Sequence, residues 1–170
     1  DAGIPRDAFT RVVREDPARP GLLYAGTEMG LWLSFDAGKG WTRFQRNLPV
    51  VPVTDLLVKD SDLVVATQGR AFWILDDLSP LRQWKDDLTA AKLHLFAPRP
   101  AVRFPGGGDP AKPPKGAGQN APPGAVLSWW SKDAPGPGEE VVLEVLEGEK
   151  VIRRFTNEAK DPKSAPVPEE

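Results

Sequence analysis

The sequence predicts an all-β chain made of two four-stranded units, a loose connector and part of a β-sandwich. Three observations predict it. Short runs of β-branched, aromatic and aliphatic residues are broken at close intervals by Pro, Gly and Asp. The first two sets of such runs align with each other. Helical spacing is poor, and only Asp86 to Leu95 has the pattern for a turn or two of helix.

In chain order, the first set is Phe9 to Glu15, Leu22 to Thr27, Leu31 to Phe35 and Trp41 to Phe44. Asp16-Pro17, Pro20-Gly21, Glu28-Met29-Gly30 and Ala37-Gly38-Lys39-Gly40 separate its members. The second set is Val53 to Lys59, Leu63 to Thr67, Phe72 to Leu75 and a weaker run near Leu81 to Trp84. Laying Phe9 over Val53 matches Thr10 with Thr54, Val12 with Leu56 and Asp16 with Asp60, an offset of about 44 residues. After a loop that is shorter in the second copy, Tyr24 to Thr27 falls on Val64 to Thr67. Leu31-Trp32-Leu33 then meets Phe72-Trp73-Ile74 within one residue. A repeat of about 40 residues, each copy holding four strands, is the pattern of a propeller blade.

Between the third and fourth runs of the first copy stands Ser34-Phe-Asp-Ala-Gly-Lys-Gly-Trp41. A short loop between antiparallel strands has to satisfy several backbone N–H groups, and the Asp36 carboxylate accepts them in the manner of an Asx-turn. Gly38 takes a positive φ without steric cost. Trp41 covers the turn with a flat apolar face while its indole N–H seeks an acceptor. Ser34 adds a second side-chain oxygen beside the same loop. This octapeptide, S-x-D-x-G-x-x-W, resembles the Asp-box or bacterial neuraminidase repeat with every fixed position filled.

The resemblance extends over about Phe9 to Arg82. The stretches Glu15 to Ser34 and Leu63 to Asp77 look like the closing blades of large bacterial BNR-repeat, glycosyl hydrolase-like or sortilin-like propellers. It implies that residues 1–95 are the C-terminal blades of an Asp-box β-propeller whose partners are the remaining blades of a longer parent chain. It implies export to the periplasm or the extracellular space. It also implies a structural role for Ser34, Asp36, Gly38 and Trp41, because the Asp-box of that class lies on the blade periphery. The opening Asp1-Ala-Gly-Ile-Pro5 carries no signal peptide, which fits a cut rather than a natural start.

Residues 96–124 are rich in Pro and Gly and read as a linker that buries too little apolar surface to offset the entropy of ordering. Gly106-Gly-Gly108 is not a phosphate loop, since no strand leads into it and no Lys-Ser/Thr follows. Runs at Ala125 to Ser131, Glu140 to Leu146 and Val151 to Phe155 place a partial immunoglobulin- or fibronectin-like sandwich at 125–156. A disordered tail is expected at 157–170. Of the adjacent Trp129 and Trp130, at most one can face a core, because neighbours in a strand point to opposite sides.

Function is bounded mostly by exclusion. With 22 Lys and Arg against 24 Asp and Glu, the net charge of −2 offers no basic field for nucleic acid. No apolar run is long enough for a membrane span. The chain has no Cys and one His, His94, so thiolate metal sites, cysteine nucleophiles and a Ser-His-Asp arrangement find no support. The reading assigns no cofactor, no metal and no catalytic residue. Candidate carboxylates for glycoside hydrolysis are Glu15 with Asp16, Glu28, Asp55 and Asp76 with Asp77, and no neighbour pattern singles one out. Gln68 and Arg70, in Thr67-Gln-Gly-Arg-Ala-Phe-Trp73, are the candidate binding pair for a carboxylate or a sugar hydroxyl. The alternative for Arg70 is a tie between neighbouring units through backbone carbonyls or Asp76 and Asp77. Two functions are therefore expected in order: a non-catalytic scaffold that recognises protein or glycan, then part of a glycoside hydrolase whose carboxylates lie mainly elsewhere.

Overall fold

The computed structural model describes residues 2–101 and 124–157. Most of the expected linker at 96–124, and all of the expected tail beyond 157, lie outside the described residues. The architecture is all-β and antiparallel. Strands β1 (Thr10–Glu15), β2 (Leu23–Thr27), β3 (Gly30–Ser34) and β4 (Thr42–Arg43) form a four-stranded meander in the order β1-β2-β3-β4. Strands β5 (Val53–Lys59), β6 (Asp62–Thr67) and β7 (Phe72–Leu75) form a second meander of three.

The fourth strand expected near Leu81 to Trp84 is instead helix α1 (Ser79–Gln83). Pro80 stands in its first turn, where a fixed φ is already helical and the missing N–H costs nothing. Leu78, just before the helix, is fully buried. A 3₁₀ turn at Asp86–Ala90 follows, shorter than the helix the sequence allowed.

The two meanders repeat each other in register. In both, the first ladder is broken by a bulge, between Thr10 and Val12 in β1 and between Val53 and Asp55 in β5. Val13, Ala25 and Trp32 share a row in the first sheet, as Leu56, Val65 and Trp73 do in the second. The hairpins match as well. Thr27 Oγ1 donates to the Gly30 carbonyl at 3.1 Å, and Thr67 Oγ1 to the Ala71 carbonyl at 2.7 Å. The indole N–H of Trp32 is held by Thr27 Oγ1 and that of Trp73 by the Arg70 carbonyl.

This register corrects the sequence alignment by one residue in the first strand: Thr10 corresponds to Val53 and Val13 to Leu56. A one-residue slip moves every side chain to the other face of a sheet, so the correction decides what is buried. Val12, Tyr24, Leu31 and Leu33 on one face of the first sheet pack against Val53, Leu56, Leu63 and Val65 of the second. Gly26 leaves room for the second sheet: a Cβ there would stand 2.5 Å from Val53 Cγ1, and 2.7 Å from Val12 Cγ1 of its own sheet. The core therefore joins one face of the first repeat to the opposite face of the second.

The second half is smaller. Strand β8 (Leu93–Leu95) pairs with β9 (Trp129–Ser131), so the start of the expected sandwich is tied to the segment that follows α1. Trp130 meets Trp84 edge-on at 6.1 Å, Trp84 lies 6.1 Å from Phe35, and Trp129 is 58% exposed. Strands β10 (Val142–Glu147) and β11 (Lys150–Thr156) form a separate two-stranded hairpin.

Candidate functional site

The octapeptide Ser34 to Trp41 forms the turn between β3 and β4. Ser34 ends β3 and is buried, which holds its hydroxyl under the loop. That hydroxyl donates to Asp36 Oδ1 at 2.7 Å and accepts the Gly38 N–H at 2.9 Å. Asp36 Oδ1 also accepts the Gly40 N–H at 2.9 Å. Two side-chain oxygens thus satisfy the backbone of the turn from inside. Gly38 has φ +89°, and the space around it would admit a Cβ at ordinary contact distances, so conformation rather than room calls for glycine there. Ala37 also has a positive φ, +59°, which the sequence did not signal.

The turn is fastened to its surroundings at both ends. The Ala37 N–H donates to the Gly21 carbonyl at 3.0 Å, and the Trp41 N–H to the Ala2 carbonyl at 2.8 Å. Trp41 is half-buried beside Gly38, and its indole N–H finds no protein acceptor among the described residues, unlike the expectation. A shallow depression of about 480 Å³ lies over Ala2, Phe35, Asp36, Trp41 and Asp86. Its Asp36 carboxylate already serves the turn, which makes this residue an anchor rather than a free acid or base.

The Gly40 N–H, followed by the Ser34 hydroxyl, holds the Asp36 carboxyl below its usual range. A depressed carboxyl stabilises the fold above its unfolded value of 3.8 and ceases to do so as pH falls through its lower folded value. Asp36→Asn is therefore expected to lower the thermal midpoint at neutral pH, with the difference from the parent shrinking below about pH 4. Calorimetry over that range checks it, and a gap that stays constant into acid contradicts the role given to the charge.

Gln68 and Arg70 lie together on the β6–β7 hairpin, and both are exposed. Gly69 at φ +84° and Ala71 at φ +56° turn the chain there, with the Gln68 N–H fixed on the Pro52 carbonyl at 2.9 Å. The Arg70 guanidinium meets no partner among the described residues, and it does not tie the sheets together. Among three other arginines, Arg14 joins the two sheets directly, while Arg19 and Arg82 tie the β1–β2 turn to α1. Arg14 donates to the Leu56 carbonyl and to Asp55, Arg19 to the Leu81 carbonyl, and Arg82 to Asp16 and the Asp60 carbonyl.

No family model, no curated protein and no solved structure matches the chain.

The Asp16 cluster is the feature that sequence reasoning missed. Asp16 is buried at the β1–β2 turn and accepts the Ala18 and Arg19 N–H groups, the Tyr24 hydroxyl at 2.8 Å and the Arg82 Nε at 3.0 Å. Burial, and then the Asp16 carboxylate, push the Tyr24 phenol far above its ordinary range, so it remains a donor. Asp16-Pro17 had signalled a turn, but nothing local in the sequence joins it to Arg82. Of the other candidate carboxylates, exposed Asp76 meets no partner among the described residues, and Glu15 accepts the Gly21 N–H. Glu28 pairs with Arg11, Asp55 with Arg14, and Asp77 accepts the Ser79 N–H. His94 packs edge-on against Phe96 at 4.8 Å. Among the described residues no group of three or more His, Asp or Glu is placed to hold a metal ion, and no helix is long and apolar enough to cross a membrane.

Proposed function

We propose that residues 1–95 are two adjacent blades of an exported Asp-box β-propeller, which act as a non-catalytic scaffold recognising protein or glycan. The observation that carries this reading is the Ser34 to Trp41 turn, whose Ser, Asp and Gly meet the demands of an Asp-box inside a meander that the next meander repeats. The commitment of Glu15, Asp16, Glu28, Asp55 and Asp77 to structural ties favours recognition over hydrolysis. The exposed Gln68 and Arg70 hairpin supplies the recognition chemistry, since a guanidinium with no partner among the described residues offers a fork of donors to a carboxylate.

The test is binding and turnover on a panel of uronate- and sialate-containing oligosaccharides with the full chain. The expected result is binding without product release. Arg70→Ala should weaken that binding by about 1.5–3 kcal/mol, the range for a hydrogen bond to a charged group, with the thermal midpoint unchanged. Release of a cleaved sugar, or affinity indifferent to Arg70, contradicts the proposal.

A further inference from the structure

The depression of about 480 Å³ over the Ser34 to Trp41 turn draws its lining from three distant parts of the chain: residues 2–3, the run from β3 through the turn to β4, and the 3₁₀ turn after α1. Buried Leu33 and half-buried Phe35 and Trp41 make part of that lining apolar. The polar part is acidic. Among the described residues, Asp36 and Asp86 are its two ionisable side chains, and exposed Lys39 and Lys85 stay outside it. Each acid has acceptor capacity to spare. The Ser34 hydroxyl and the Gly40 N–H both end on Asp36 Oδ1, which leaves lone pairs on Oδ2. The Asp86 carbonyl accepts the Thr89 hydroxyl at 2.8 Å, while its exposed carboxylate meets no partner among the described residues. Two donors stand beside them, the Trp41 indole N–H and the Thr42 hydroxyl, and neither has a protein acceptor among the described residues.

From this we infer that the depression is a binding site for a protonated amino sugar. An ammonium gains from two carboxylates and from the electron-rich face of an indole, and the C–H groups of a pyranose ring pack against the apolar lining. Ring hydroxyls accept from Trp41 and Thr42. A bare lysine side chain would bring the same ammonium but leave both donors idle, so the sugar is the better fit. The volume falls within the range of about 300–1,000 Å³ common to small-molecule sites. An acidic sugar would set its carboxylate against Asp36 and Asp86, and the site therefore selects against the ligands assigned to Arg70. The two places also lie at opposite ends of the strands. The Ser34 to Trp41 turn leaves β3 at the end away from the β2–β3 hairpin, and the β6–β7 hairpin of Arg70 is the counterpart of that hairpin. The inference is thus independent of what Arg70 binds.

The test is titration of the full chain with glucosamine at low salt and about pH 6, where such an amine is protonated. Calorimetry gives the affinity, and the NMR signal of the Trp41 indole N–H gives the place. Glucosamine should bind and shift that signal. N-acetylglucosamine, which keeps the ring and loses the charge, should bind about tenfold or more weakly, the factor for a lost hydrogen bond to a charged group. Asp86→Asn should weaken glucosamine by a similar factor with the thermal midpoint unchanged, and Arg70→Ala should leave its affinity as it is. An unmoved indole signal, equal affinity for the N-acetyl sugar, or indifference to Asp86→Asn overturns the inference. Butylamine bound as tightly as glucosamine overturns it in favour of a lysine side chain, and loss of glucosamine binding in Arg70→Ala overturns it in favour of the β6–β7 hairpin. Failure of uronates and sialates to bind at Arg70 leaves this result standing.

Discussion

Arg82→Ala is expected to destabilise the chain by about 3–5 kcal/mol, the cost of removing one partner from a buried ion pair. The Asp16 side chain is wholly buried and the Arg82 side chain is 16% exposed. Removal of the guanidinium leaves a buried carboxylate with only two backbone N–H groups and one phenol to satisfy it. The same guanidinium reaches the Asp60 carbonyl at 2.8 Å, so the substitution also unties the second meander from the first. At about 4–8 °C per kcal/mol for a domain of this size, the thermal midpoint should fall by at least about 10 °C. Asp16→Ala should cost a similar amount, and the double variant about 2 kcal/mol less than the sum, because the residues act as a unit. Screening by salt should be weak for a pair so shielded from solvent. An Arg82→Ala loss below about 1 kcal/mol, with additive singles, would show that the cluster does not hold the sheets together.

Local chemistry was legible in the sequence wherever its partners lie close along the chain. The Ser34 to Trp41 turn is readable because its internal ties run between Ser34, Asp36, Gly38 and Gly40. Seven of the expected strands in the first two sets fall where β1 to β7 stand, since alternating apolar residues between turn signals leave little freedom. The repeat was visible too, but its register was not. Val12-Val13 and Leu56-Leu57 are both apolar doublets, so a period of two fits either alignment, and the bulge that decides between them has no residue signature here. The fourth run of the second set failed because Leu81 to Trp84 is too short to show alternation, whereas Pro80 ahead of it suits the first turn of a helix. Arg82 meets Asp16 across 66 positions, a distance over which neither periodicity nor motif carries information. Arg70 looked the better candidate for that role because its neighbours are distinctive. They are distinctive for the hairpin they build, with Gly69 and Ala71 at positive φ and Trp73 anchored on the Arg70 carbonyl.

Leu56 and Leu57 turn the register into the second large expected effect. They are adjacent and chemically identical, and one stands between the sheets at 2% exposure while the other is 57% exposed on the far face. Leu56→Ala removes side-chain volume from a packed interface and should cost about 2–5 kcal/mol, with the scatter set by how far the cavity collapses. Leu57→Ala touches a surface that this chain leaves open and should change stability by no more than about 0.5 kcal/mol.

The most direct test of two repeats stacked in one sense is therefore the urea midpoint of Leu56→Ala against that of Leu57→Ala, each in the full chain at matched concentration. The account predicts a large fall for the first and almost none for the second. A fall as large or larger for Leu57→Ala would contradict it, since that result places the opposite face of the second meander against the first.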